Sequence, residues 1–288
     1  MPSTKEYNNK LRSLKNTQKI TRTMKMVAAS KLRKAQIAQI NAKMYANSIR
    51  HMISRIASSV ESSSHPLLRA KPLVKRILIL LFTSDKGLCG AFNHNVHKQV
   101  DHWIRNNRAR YEQIDLSCCG KRGFMFFKKK VTIKKYYEDV TLNPTFQEAI
   151  TIGKDLDKSF TLGEYDEVYV THNQFFSPLS QKTTFGKILP IDPDALRDEE
   201  AQVTTNYLFE PPQDELLRFL VPHYLYFRIY FNLLENSAGE HGARMTAMDN
   251  ATNNASDLIE KYTLLRNRAR QAAITTELTE IIAGAEAL

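Results

Sequence analysis

The sequence predicts an α/β protein with a long antiparallel coiled coil: N- and C-terminal helices paired, around a central Rossmann-like open α/β domain. Three observations carry this. No Gly or Pro occurs between Lys5 and Glu61, and no Pro follows Pro222, so both ends lack the residues that break helices. Between residues 73 and 190, short apolar runs alternate with helical segments, the pattern of a mainly parallel sheet. The expected divisions are 1–65 for the first helix, 66–212 for the central domain and 213–288 for the last helix.

The first helix has a narrow seam. Steps of three and four from Leu11 through Leu14, Ala28, Leu32, Ala35, Ala42 and Ile49 to Val60 meet 11 apolar residues in 15 positions, which fits a heptad stripe. Such a helix would be roughly 80 Å long. Its small residues leave room for a close partner. "RILILLFTS", "IDLSCCG", "VTIKKYY" and "EVYVTHNQF" read as strands. "NHNVHKQVDHWIRNN", "KRGFMFFKKK" and "TFQEAITIGKDLDKSF" read as the helices between them. Ser180–Leu189 is expected to return as a hairpin on the fourth strand. The last helix carries Phe227, Tyr230, Leu234, Met248, Ala251, Ala255, Tyr262 and Leu265 in step, with Ser237, His241 and Arg244 as polar exceptions. Gly239 and Gly242 cost about 1 kcal/mol each relative to Ala, so irregularity is expected there rather than a break.

Composition excludes more than it identifies. Apolar content of 42% and charged content of 25% are those of a folded domain, and no run reaches the roughly 18 apolar residues of a membrane span. Cys89, Cys118 and Cys119 have no metal-ligand spacing, and the eight histidines are scattered. "TSDKGLCGAFN" follows the first strand, where a phosphate-binding turn would lie, but matches neither the P-loop nor the dinucleotide pattern. No catalytic, cofactor-binding or metal-binding residue is expected.

Charge is more informative. The chain has 41 Lys and Arg against 30 Asp and Glu, and residues 1–60 hold 13 of those cations with Glu6 as their single acid. So one-sided a helix faces a nucleic acid, an acidic protein surface or an anionic membrane, or is simply a solvated face. Pattern alone leaves these open.

"NTQKITRTMKMVAASKLRKAQ" (Asn16–Gln36), "SDKGLCGAFN" (Ser84–Asn93), "ARMTAMDNATNNASDLI" (Ala243–Ile259) and "NRARQAAITTELTEIIAGAEAL" (Asn267–Leu288) together resemble the gamma subunit of F-type ATP synthases. The resemblance implies a rotor shaft inside a hexamer of three alpha and three beta subunits, joined below to epsilon and a ring of c subunits. It implies no catalytic site in this chain, no cofactor and no nucleic-acid partner. Met24 and Lys25 match positions facing an acidic lever of beta. Arg244 and Gln271 match positions that hydrogen-bond a beta loop, with Arg270, Thr275 and Glu277 beside them. Tyr207 and Glu210 match the segment facing the c ring and epsilon. The apolar tip, with no Lys or Arg after Arg270, would turn in a greasy collar. With Met1 and no transit peptide, the expected location is the cytoplasmic face of a bacterial plasma (inner) membrane, held through partners only.

The purified chain alone is therefore expected neither to bind nor to hydrolyse ATP. Calorimetric titration that finds tight stoichiometric binding would contradict this.

Overall fold

The computed structural model describes residues 4–57, 65–192 and 212–286. Helix α1 spans Thr4–Ala57, and a 3-10 turn follows at Pro66–Leu68. Then come β1 (Arg76–Phe82), α2 (Phe92–Asn107), β2 (Gln113–Cys119), α3 (Lys121–Phe127), β3 (Ile133–Tyr137), α4 (Phe146–Thr161), β4 (Glu167–Ser177), β5 (Ser180–Leu189) and α5 (Gln213–Glu286). Each strand and helix expected between residues 73 and 190 is present. Pro222, Gly239 and Gly242 all lie within α5. The chain forms two compact units: one is Ala29–Ala243, and the other joins the chain up to Ala28 with the chain from Arg244 onward.

In the larger unit the sheet order is β3-β2-β1-β4-β5. β1 runs parallel to β2 and β4, β2 parallel to β3, and only the β4–β5 hairpin is antiparallel. β1 is buried on both faces, as a central parallel strand must be. Its alternate side chains therefore serve two cores. Leu78, Leu80 and Phe82 pack with Ile152 and Leu156 of α4, Ala42 and Ile49 of α1, and Leu225, Ile229 and Leu233 of α5. Ile77, Ile79 and Leu81 pack with Val96 and Val100 of α2 and with Phe127 of α3. α4 begins with a reciprocal capping box between Thr145 and Glu148.

One carboxylate fastens the starts of the central strands. Asp166, just before β4, accepts from Lys71 Nζ at 2.8 Å and from the backbone N–H groups of Lys75 and Arg76, each at 2.9 Å. Burial alone would raise its pKa, but these hydrogen bonds outweigh that and hold it down at about 2, from 3.8. A depressed carboxylate contributes stability above its unfolded pKa and loses it as pH falls through the folded one. The thermal midpoint of the chain should therefore drop between pH 3.8 and about 2. Asp166→Asn should be less stable near neutrality and flatter across that window; an unaltered acid limb in this variant would refute the assignment.

Candidate functional site

The smaller unit is a helical pair, and seven of the nine residues singled out from the sequence lie in it: Met24, Lys25, Arg244, Arg270, Gln271, Thr275 and Glu277. Met24 is half-buried on α1. Tyr207 and Glu210 lie outside the described residues.

The antiparallel sense is set by cross-helix contacts whose order reverses. Tyr7 meets Tyr262 with ring centroids 6.3 Å apart. Gln18 Nε2 donates to Ser256 Oγ at 2.7 Å. Thr252 Oγ1 donates to Thr21 Oγ1 at 2.7 Å, and Lys25 Nζ meets Asp249 Oδ1 at 2.6 Å. Leu11 and Ala255 are buried between these polar rungs, and Ala28 and Met248 just beyond the last of them. The seam predicted on α1 is real: every described position on it is buried or half-buried. On α5 it fades, with Leu258 at 41% exposed.

Lys25 has a partner of its own. The pair with Asp249 is open, with side chains 41% and 44% exposed, so water competes and the ammonium keeps unused donors on its outer side. Arg244 differs from Gln271 in environment. Arg244 is only 9% exposed and is engaged within the chain. Gln271, Arg270, Thr275 and Glu277 are exposed, as is each residue from Gln271 to Ala283. Thr275 Oγ1 donates to the backbone carbonyl of Gln271 at 2.9 Å. Ile274, Leu278, Ile281 and Ile282 are large apolar side chains left in the open on this end.

The glycine turn after β1 uses its polar groups on itself. Asn93 accepts from Ser84 N–H at 2.9 Å and donates to Ser84 Oγ at 2.7 Å. Ser84 Oγ donates to Lys86 O at 2.6 Å. Asp85 accepts from Lys121 N–H at 2.9 Å and Thr141 Oγ1 at 2.6 Å. Leu88 and Gly90 adopt left-handed backbone, with φ of 64° and 57°. The Ser84 and Asn93 side chains are thus engaged with one another and with the turn, and the Asp85 carboxylate would repel a phosphate. Burial pushes the Cys118 thiol up to about 12, far from a nucleophile's range. Among the described residues no group of His, Cys, Asp and Glu is placed to hold a metal ion.

Sequence reasoning passed over two buried polar residues, His172 and Glu235, and the half-buried Gln39 that meets one of them. For Glu235 a signal was available, the polar run "ENSAGEH" after the apolar stretch "YFNLL"; for His172 and Gln39 there was none.

A narrow apolar seam crossed by polar rungs, exposed cations on α1 and an uncovered apolar helix end are the features of a protein that works by contact with other subunits. The comparisons give it a family. The family model described as ATP synthase matches residues 3–288. The ATP synthase gamma chain of Geobacter metallireducens is 43% identical over 288 residues, covering 100% of this chain and 99% of that protein. That of Bdellovibrio bacteriovorus is 40% identical over 294 residues, with the same coverage. Among solved structures, the central stalk and c-ring of Tetrahymena thermophila mitochondrial ATP synthase matches with TM-score 0.60 and 26% identity, over 81% of this chain and 99% of that one. A chain of the Euglena gracilis mitochondrial ATP synthase matches in fold, with TM-score 0.67 at 18% identity, over 99% of this chain and 94% of that one. The chain belongs to the ATP synthase gamma chain family, the non-catalytic subunit that serves as rotor shaft. No helix among the described residues is long and apolar enough to cross a membrane.

Because the Lys25–Asp249 pair is open to water, it is worth about 0–1 kcal/mol. Asp249→Ala should leave the thermal midpoint within a few degrees of the parent and less sensitive to added salt. A large loss of stability would show that the pair, not the seam around it, holds these helices.

Proposed function

We propose that the helical pair of this chain turns inside a ring of three alpha and three beta subunits while its α/β body is carried by epsilon and the c-subunit ring. Ion flow through the membrane sector would turn the ring and shaft, and the shaft would drive the beta sites through ATP synthesis; hydrolysis would run the cycle backwards. Full-length identity to gamma chains is the observation that carries this reading. The physical content is coupling between distant sites: an asymmetric shaft contacts three chemically identical subunits differently and biases each among its states.

Roles follow from exposure. Met24 and Lys25 would meet an acidic beta surface as it passes, and the outer side of the Lys25 ammonium is open to do so. Gln271, with Arg270, Thr275 and Glu277, would supply polar contacts to a beta loop from a fully open surface. Arg244, being buried, would act at the edge of that contact and in holding the helix that presents it. Tyr207 and Glu210 are assigned to the c-ring and epsilon side. The apolar end at Ile281 and Ile282 would turn in an apolar collar without breaking hydrogen bonds at each step. The divisions 1–65, 66–212 and 213–288 are proposed as shaft, body and shaft. The complex would lie on the cytoplasmic face of a bacterial plasma membrane, with this chain held there by its partners.

Deleting residues 281–288 removes apolar side chains worth about 1.5–3 kcal/mol each when buried in a collar. Assembly should loosen and the rate should fall, while rotation continues. Gln271→Ala leaves a beta group unpaired in one state of the cycle, at about 1–3 kcal/mol, so turnover should fall with assembly intact. Arg244→Ala should lower both, because its side chain is also part of the folded helix pair. Steady-state ATPase and proton pumping in membranes of equal complex content test this. Loss of all turnover on truncation, with Gln271→Ala like the parent, would make the tip the torque contact and reverse the division of labour.

A further inference from the structure

The sheet has one topological switch, between β1 and β4, where the chain has left β1 to build β2 and β3 on the other side. Beyond the C-terminal ends of the strands at such a point, an open α/β sheet has a crevice that commonly holds a ligand. In this protein α5 fills it. Asn236 Nδ2 donates to the carbonyl of Thr83, the residue after β1, at 3.4 Å. His172 follows Thr171, the last β4 residue registered with β1. Its Nε2 lies 3.0 Å from Glu235 Oε2, with the two side chains 10% and 8% exposed. Glu235 Oε1 accepts from Gln39 Nε2 of α1 at 3.3 Å. Thr184 Oγ1 of β5 lies 3.1 Å from His172 Nδ1. Asn173 Nδ2 donates to Phe92 O at the start of α2, at 3.1 Å.

The two glycines of α5 belong to this insertion. A Cβ on Gly239 would come within 3.1 Å of the Phe92 ring, and one on Gly242 within 3.2 Å of both Phe175 and Pro178. Their absence of a side chain lets the helix backbone enter the crevice. α5 thus docks as a ligand would, by close backbone approach and directed polar contacts.

We propose that Gln39, His172 and Glu235 are positioning residues that set the angular register of both terminal helices on the sheet, so that rotation imposed on the body is delivered by the helices without slip. This rests on the rotor reading above. Apolar packing resists separation but has little directional preference, whereas a hydrogen bond weakens steeply as its angle departs from linear. Turning α5 by one residue position, about 100°, would carry Glu235 away from both partners and leave a buried carboxylate unsatisfied. Buried polar groups with complete partners select one arrangement from several of similar packing.

The test uses the complete enzyme in membranes, with proton pumping measured per ATP hydrolysed. Glu235→Leu and His172→Leu should assemble and hydrolyse ATP but pump several-fold fewer protons per ATP. Glu235→Gln, which retains an acceptor for Gln39, should recover most of the ratio. A ratio equal to that of the unvaried enzyme in both leucine variants overturns the proposal. If either leucine variant fails to assemble, Gln39→Leu and Thr184→Val each remove one bond from the edge of the joint. A smaller, graded loss of ratio is then expected, and an unchanged ratio overturns it. Unvaried enzyme that hydrolyses ATP without pumping would instead refute the rotor reading itself.

Discussion

The antiparallel seam between α1 and α5 is the contact on which the rest depends. Single helices are marginal in water, and most helical stability comes from an apolar face packed on a neighbour. In the larger unit that neighbour is the sheet as well as the partner helix: Ala42 and Ile49 of α1 share a core with Leu80, Phe82, Leu225 and Ile229. In the smaller unit the helices have mainly one another, and small or hydroxyl-bearing residues do the work. Ala28, Thr21, Thr252 and Ala255 allow a close approach that larger side chains would prevent.

That difference in seam chemistry has mechanical meaning. The body is joined to its helices by a broad apolar core with a directed polar joint inside it, which favours one arrangement over neighbouring ones. The helical pair is held by a few buried residues and water-exposed polar rungs, each worth little alone. It can therefore present exposed cations and an apolar end without a second large core. Uncovered aliphatic side chains on a helix end are a liability for a solitary protein; for a subunit of a larger assembly they are a contact surface.

The sheet domain has the topology of a ligand-binding fold, yet its binding features are used internally. The turn after β1 closes on its own hydroxyl, amide and carboxylate groups, and α5 occupies the switch-point crevice. Fold class and chemical function separate here for a local reason. What decides whether such a sheet binds a small molecule is which group reaches the strand ends, and here it is a helix of the same chain.

Period and punctuation in the sequence determined the elements. The Gly- and Pro-free run gave α1, its heptad step gave the buried face, and four short apolar runs gave the central strands, because these are properties of neighbouring residues. The terminal blocks gave the family, while the charge of α1 left its partner open. Tertiary structure alone decided which polar residues meet. Periodicity tells which face of a helix is covered but not what covers it, so the pairing of Lys25 with Asp249, the burial of Arg244 against the exposure of Gln271, and the partners that Glu235 finds in Gln39 and His172 had no local signature. Those contacts join residues 224, 196 and 63 positions apart for the bonded pairs, and only the folded backbone brings such distant side chains within hydrogen-bonding reach.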